Sequence, residues 1–225
     1  MKTILFAVVA FAMTACCNQQ TKCEAEELAS TPVVYGEVIE LPAPDLSRGM
    51  NISEALQNRR SWREYSAEKL SMEELSGVLW AAAGINRPEN DHLTAPSALA
   101  LYPITVYAFF EEGIYRYEAK GHRLVRVKEG NYMVKAGAQG FVETAALNLV
   151  YVADLTPYNE RKFPVEKAQY LCGQDAAGYA ENVNLYTAGT GLKSITRGGA
   201  SPEVLQVIGL EGEQYFFALA QSVGK

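Results

Sequence analysis

The sequence predicts one domain of α+β or α/β class, on three observations. Apolar, β-branched runs at residues 104–110 and 149–154 read as buried strands. Helical patterns separate such runs along the chain, and one local hairpin is signalled around Lys120 and Gly121. A length of 225 residues with 48% apolar content suits a single core.

Each element follows in order. Residues 32–46 alternate apolar side chains with Pro42 and Pro44, which predicts an extended arm. Residues 52–58 read as a short helix capped by Asn51 or Ser53. Ser71 and Glu74 form a capping box for the next helix, Leu75, Val78, Leu79 and Ala82 share its apolar face, and Gly84 is placed to end it. A loop with Pro88, Asn90 and Pro96 leads to the strand at 104–110. The runs IYRYE and RLVRV form the hairpin, and residues 143–148 are expected to be a helix feeding the strand at 149–154. The longest helical pattern covers 165–190, with Gln169, Cys172, Ala176, Tyr179, Ala180 and Val183 at helical spacing. Gly173 and Gly178 within it predict either a break or close packing against a neighbour. A turn at 189–200, a short helix at 202–208 opened by Pro202, and a strand at 214–224 complete the chain.

The first residues stand apart from this core. Lys2, an apolar run at 4–13, and the small residues Thr14 and Ala15 precede Cys16. That is the pattern of a signal peptide whose apolar run is too short to span a bilayer. The cysteine after Ala15 resembles the lipobox of bacterial lipoproteins, with Met13 where leucine is usual and Cys17 as a second candidate; a plain secretory signal is the other reading. The expected organisation is a signal peptide at 1–15, a lipid-anchored flexible tether at 16–31 with lipidation at Cys16, and a folded domain at 32–225. Such a protein would face the periplasm or lie at the outer membrane, touching the membrane through its anchor alone.

Composition excludes several classes. With 20 Lys+Arg against 26 Asp+Glu the formal charge is −6, so no general nucleic-acid binder is expected. Three of the four cysteines fall in the leader and tether, leaving Cys172 as a core residue rather than part of a disulfide framework. His92 and His122 lack paired ligand spacing, so no metal site is expected. There is no G-x-S-x-G elbow and no Walker loop, and Glu73-Glu74 and Glu111-Glu112 read as solvated carboxylates.

Three segments carry anion-binding chemistry. Arg59, Arg60, Ser61 and Arg63 lie within NRRSWREYS, just past a helix end. Guanidinium groups pair bidentately with phosphate and a serine hydroxyl adds a short donor, though taken alone the cluster reads first as a solvated basic face. APSALALYP, residues 95–103, is a small-residue loop bounded by prolines, open to close approach by a flat ring. GLKSITRGG, residues 191–199, offers Gly198 and Gly199, whose amides donate without side-chain obstruction.

In this order and spacing the segments resemble the FMN-dependent nitroreductase family, and most closely its SagB-type branch, which includes azoline dehydrogenases of peptides. The resemblance covers residues 52–224 and rests on RRSWR (59–63), ELSGVLWAAAG (74–84), APSALALYP (95–103), GIYRY (113–117) with HRL (122–124), AGYAENVNL (177–185) and TGLKS (190–194). It implies an α+β, nitroreductase-like FMN-binding fold with a central, mainly antiparallel sheet packed by helices, over 32–225. It also implies a homodimer with the flavin at the subunit interface and a small-molecule substrate, with hydride or electrons passing in a ping-pong reaction. Arg59 and Ser61 would hold the FMN phosphate, Arg60 the ribityl-phosphate region, and Lys193 would add charge there. Arg63 would reach the pyrimidine edge and stabilise the reduced flavin; no other catalytic side chain is implied. Pro96, Ser97, Ala98 and Ala100 would contact the ring, and Gly198 and Gly199 would offer an amide to N5.

The chain departs from the pattern at three places. Leu99 stands where the branch has glycine, which would narrow the pocket. Lys162 is followed by Phe163 rather than tyrosine, so the phenol of the azoline dehydrogenases is missing. The basic C-terminal tail of the classical nitroreductases is missing, with Lys225 at its place, which would either lower FMN affinity or leave Lys225 to compensate in part. The alternative function is a lipid-anchored domain that binds flavin or another ligand without turnover.

Overall fold

The computed structural model describes residues 31–225. The expected signal peptide, Cys16 and the tether up to residue 30 lie outside the described residues. Strands β1 (Val38–Glu40), β4 (Ile104–Phe110), β5 (Gly113–Glu118), β6 (Arg123–Glu129), β7 (Leu147–Asp154), β8 (Lys193–Arg197) and β9 (Tyr215–Gly224) form one sheet in the order β1-β6-β5-β4-β7-β9-β8. All six pairings are antiparallel. β2 (Ile85–Arg87) and β3 (His92–Leu93) make a separate small ribbon. Helices α1 (Ile52–Asn58), α2 (Met72–Ala83), α3 (Phe141–Thr144), α4 (Thr156–Glu160), α5 (Val165–Thr190) and α6 (Val204–Val207) complete the chain. The class is α+β, with the mainly antiparallel central sheet that the family resemblance implies.

The strand period of two divides the central strands between two cores. Ile104, Val106, Ala108 and Phe110 of β4, with Leu147, Leu149 and Tyr151 of β7, bury against α2 and α5. The intervening Tyr107, Phe109, Val150 and Val152 bury on the opposite face with Met133, Val142 and Val204. Burial on both faces is why these strands read as continuous apolar runs.

The α2 capping box forms as the sequence indicates, with Ser71 Oγ accepting from the Glu74 amide and Gly84 ending the helix. Asn51, not Ser53, caps α1 by accepting from the Ser53 and Glu54 amides. α5 is unbroken; a Cβ on Gly178 would make only an ordinary contact with Pro96 Cδ at 3.8 Å and one on Gly173 would meet nothing, so neither a break nor close packing accounts for these glycines.

Two local expectations are corrected. The helix expected at 143–148 shrinks to α3, because Leu147 and Asn148 already pair with Val223 and Ser222 of β9. The turn expected at 189–200 contains β8, whose Ile195 is buried. The arm at 38–40 is extended as expected and pairs with β6. Thr31 is tied in as well, since its carbonyl accepts from the Met72 amide at 2.8 Å.

Candidate functional site

The segment after α1 runs along the outer edge of β8. Ser61 bridges Ser194 in parallel fashion, and the Trp62 amide donates to the Ser194 carbonyl at 3.0 Å. An edge strand exposes unpaired backbone groups, and here the arginine segment covers them. The Tyr65 hydroxyl fixes the far end, lying 3.1 Å from the Trp62 carbonyl and 3.4 Å from that of Ser222.

Ser194 is itself held by a buried polar network. Its hydroxyl lies 2.7 Å from Thr187 Oγ1 and 3.0 Å from Asn184 Oδ1. Asn184 Oδ1 also accepts from Gln221 Nε2 at 2.7 Å, and Tyr151 donates to Gln221 Oε1 at 2.7 Å. The network locks α5, β8, β9 and β7 together, so the basic segment sits on a rigid platform. Nothing in the sequence pattern singled out Asn184 or Gln221; both are polar residues at positions with core spacing.

Arg59, Arg60, Ser61 and Arg63 are exposed, and Lys193 is half-buried beside them. The Arg60 guanidinium and the Lys193 ammonium both lie over the Trp62 ring, 5.3 and 5.4 Å from its centroid. Among the described residues, carboxylates pair with Arg48, Lys69, Lys135 and Lys225, but none pairs with Arg59, Arg60, Arg63 or Lys193. Arg60 and Lys193 thus meet at Trp62, with Arg59, Ser61 and Arg63 exposed on the same segment, a charge distribution of the kind that attracts anions. Lys225 does not join it: its ammonium faces Glu74 at 3.2 Å and Glu68 at 3.8 Å, so its expected compensating role is not supported.

Gly198 and Gly199 follow β8 directly and are exposed. Neither has positive φ, and a Cβ on either would meet nothing within 4 Å. Gly191, by contrast, ends α5 at φ +80°, a conformation that requires glycine. Backbone conformation therefore explains Gly191, whereas neither conformation nor packing within the chain requires the glycine pair.

The loop at 95–103 is built around Asp175 of α5. The Asp175 carboxylate accepts from Ser97 Oγ at 2.6 Å and from the Ala98 amide at 3.0 Å, while Ser97 Oγ accepts from the Tyr102 amide at 2.9 Å. Leu99, Ala100 and Tyr102 all adopt left-handed backbone, with φ of 57°, 53° and 46°. Strain of this kind persists only where surrounding structure holds it, and it concentrates at functional loops. Ser97 and Ala98 are occupied with Asp175, leaving Pro96, Leu99 and Ala100 exposed. Leu99 is 62% exposed and fills no space inside this chain. Phe163 packs edge-on against Tyr158, with ring centroids 5.5 Å apart.

The two halves of the candidate site are not brought together within one chain. Asp175 holds the loop, whereas Ala188, Gly191 and Lys193 line a cavity with Arg60 and Trp62. Along α5, Asp175 and Thr190 are separated by roughly 22 Å at about 1.5 Å per residue. Among the described residues no cluster of three or more His, Cys, Asp or Glu side chains could hold a metal ion, and no helix is long and apolar enough to cross a membrane.

The nitroreductase family profile matches residues 56–225. A protein of Methanocaldococcus jannaschii described as a nitroreductase is 30% identical over 177 residues, which span 72% of this chain and 85% of that protein. A crystal structure from Ralstonia eutropha, also described as a nitroreductase, shares 33% identity and superposes with a TM-score of 0.78 over 88% of this chain and 94% of that one. A protein from Exiguobacterium sibiricum described as a nitroreductase in complex with FMN shares the fold at 16% identity, with a TM-score of 0.55 over 79% of this chain and 89% of that one.

Proposed function

The chain belongs to the nitroreductase family, and from that membership we propose that it is an FMN-dependent oxidoreductase acting on a small organic substrate. The observation that carries this reading is the unpaired basic edge beside two glycines that internal packing does not explain. Arg59 and Ser61 would hold the phosphate, with Arg60 and Lys193 adding charge along the ribityl-phosphate region. Arg63 would place its charge near the pyrimidine edge, and Gly198 and Gly199 would offer amides to the ring. The donor set fits: cations and a hydroxyl for a phosphate, bare backbone for a flat ring. When bound, the flavin supplies the two-electron carrier between a donor and an acceptor that use one site in turn, the ping-pong order. This chain's residues bind, orient and set the charge around it.

The same geometry supports a homodimer as part of this proposal. Since the loop at 95–103 and the basic edge lie far apart on α5, a second copy would supply the loop that completes each site. Met50, Ile52 and Leu56 are 50%, 60% and 57% exposed on and beside α1, an apolar face next to the basic edge and available to a partner. A sedimentation experiment giving a monomer with bound FMN would contradict a shared site.

We further propose the SagB-type branch, on the resemblance that APSALALYP and RRSWR carry. Phe163 lacks the hydroxyl of the azoline dehydrogenases, so azoline oxidation is not the activity proposed. Export with lipidation at Cys16 is also proposed, to be tested by loss of acyl labelling in Cys16→Ser. A periplasm-facing domain would meet little nicotinamide, so its donor would be another reductant. Rapid steady-state reduction by NADPH would count against that. A protein that binds FMN but turns over no nitroaromatic or quinone acceptor would instead support the binding-domain reading.

A further inference from the structure

Arg197, the last residue of β8, is 5% exposed and carries a guanidinium that no carboxylate among the described residues neutralises. Nη1 donates to the Ala136 carbonyl at 2.7 Å and to the Gly199 carbonyl at 3.3 Å, and Nη2 donates to Asn148 Oδ1 at 3.1 Å. Nε is buried without a protein partner. Every acceptor is a neutral dipole. A desolvated cation compensated in this way is costly, and burial pushes its pKa down to about 10.

The surrounding chain is shaped to keep this group. A Cβ on Gly137 would lie 2.0 Å from Nη1, so glycine at that position makes room for the guanidinium. Asn148, fully buried in β7, accepts from both Arg197 and Ser222 Oγ, the latter at 2.5 Å, and donates to the Val142 carbonyl at 2.8 Å. A leucine or methionine would fill the same interior without the desolvation cost. The acceptors need only donors, not a full charge, so the charge itself points to a use beyond packing.

What the charge adjoins is Gly198 and Gly199. Arg197 precedes them directly and holds the carbonyl of Gly199, so the pair lies between a buried cation and open solvent. Resting on the flavin reading above, we infer that Arg197 is an electrostatic positioning residue for that site: it fixes the Gly198-Gly199 turn and places an unneutralised charge behind it that favours the reduced, more negatively charged flavin over the oxidised one. Arg197 is not catalytic, because it touches neither substrate nor reacting atoms. It acts through the field it places at the site and through its bond to Gly199.

The test compares the full chain with Arg197→Lys, Arg197→Gln and Arg197→Met, each checked for folding by its thermal transition. Dissociation constants for oxidised FMN, together with the midpoint potential of bound against free flavin, give the affinity ratio of reduced to oxidised FMN. The ratio is expected to fall about ten-fold in the Gln and Met variants and to be largely retained in Lys. Gln and Lys disturb the hydrogen bonds alike but differ in charge, so this pair decides the matter even if the Met variant does not fold. Equal ratios in wild type and Gln, or a Lys ratio as low as that of Gln, would overturn the inference while leaving the flavin reading intact. A wild-type chain that binds no FMN would overturn both.

Discussion

Ser97 and Asp175 are joined by a hydrogen bond of 2.6 Å between the serine hydroxyl and a carboxylate that is itself buried in α5. The same carboxylate takes the Ala98 amide, so one side chain from a helix sets the path of a loop 77 residues earlier. That loop runs through left-handed backbone at three non-glycine residues, and Asp175 is what holds it there.

Asp175→Asn should therefore loosen the loop and destabilise the domain. Hydrogen bonds to a charged acceptor contribute about 1.5–3 kcal/mol, and a similar loss is expected in chemical denaturation. Amide exchange at residues 96–102 should accelerate more than in the central strands. Unchanged exchange in the loop would show that Asp175 does not hold it.

Leu99→Gly should be neutral or stabilising by about 1 kcal/mol, because φ of 57° is costly for leucine and free for glycine, while glycine's greater unfolded-state entropy offsets part of the gain. A loss above about 1 kcal/mol would mean that the exposed leucine makes contacts the single chain does not contain.

Gly198→Ala and Gly199→Ala should leave stability within about 0.5 kcal/mol, since a Cβ at either position meets nothing. Both should weaken FMN retention if the pair faces the ring. Loss of stability without loss of FMN would reverse the assignment.

His122 gives the fold a pH dependence of known sign. Its Nε2 lies 2.7 Å from Ser76 Oγ and its Nδ1 lies 2.8 Å from the Tyr117 hydroxyl, while Ser76 donates to the Pro42 carbonyl at 2.6 Å. That chain is satisfied by neutral imidazole with the proton on Nε2 and Tyr117 donating to Nδ1. Burial holds the His122 pKa below its usual 6.5. The unfolded chain then binds the proton first as pH falls. The stabilisation is full above 6.5 and declines below it towards the folded-state pKa, by at most about 1.4 kcal/mol per pH unit. His122→Gln should flatten this part of the stability profile, measured by urea denaturation between pH 5 and pH 8; an unchanged slope would remove His122 as its source.

The long apolar strands, the capping box and α5 were legible because each has a strong period or a local cap: Ser71 with Glu74, or the helical spacing of Cys172, Ala176 and Tyr179. β8 was not, because KSITR is short and flanked by glycines, and its strand character comes from pairing with β9. The basic edge was legible as residues but not as a place, since only the Ser61–Ser194 bridge shows that it lies along β8. Asp175 and Arg197 escaped notice for a shared reason. Each is one charged residue in an otherwise ordinary element, and its importance lies in partners distant in sequence.

The central claim is that the basic edge and the glycine pair hold FMN, and the visible spectrum of the purified full chain tests it most directly. The account predicts a yellow protein whose flavin absorbance bleaches with reductant and returns in air, and an Arg59→Ala variant that retains markedly less flavin while remaining folded. A colourless wild-type protein that takes up no added FMN would contradict it.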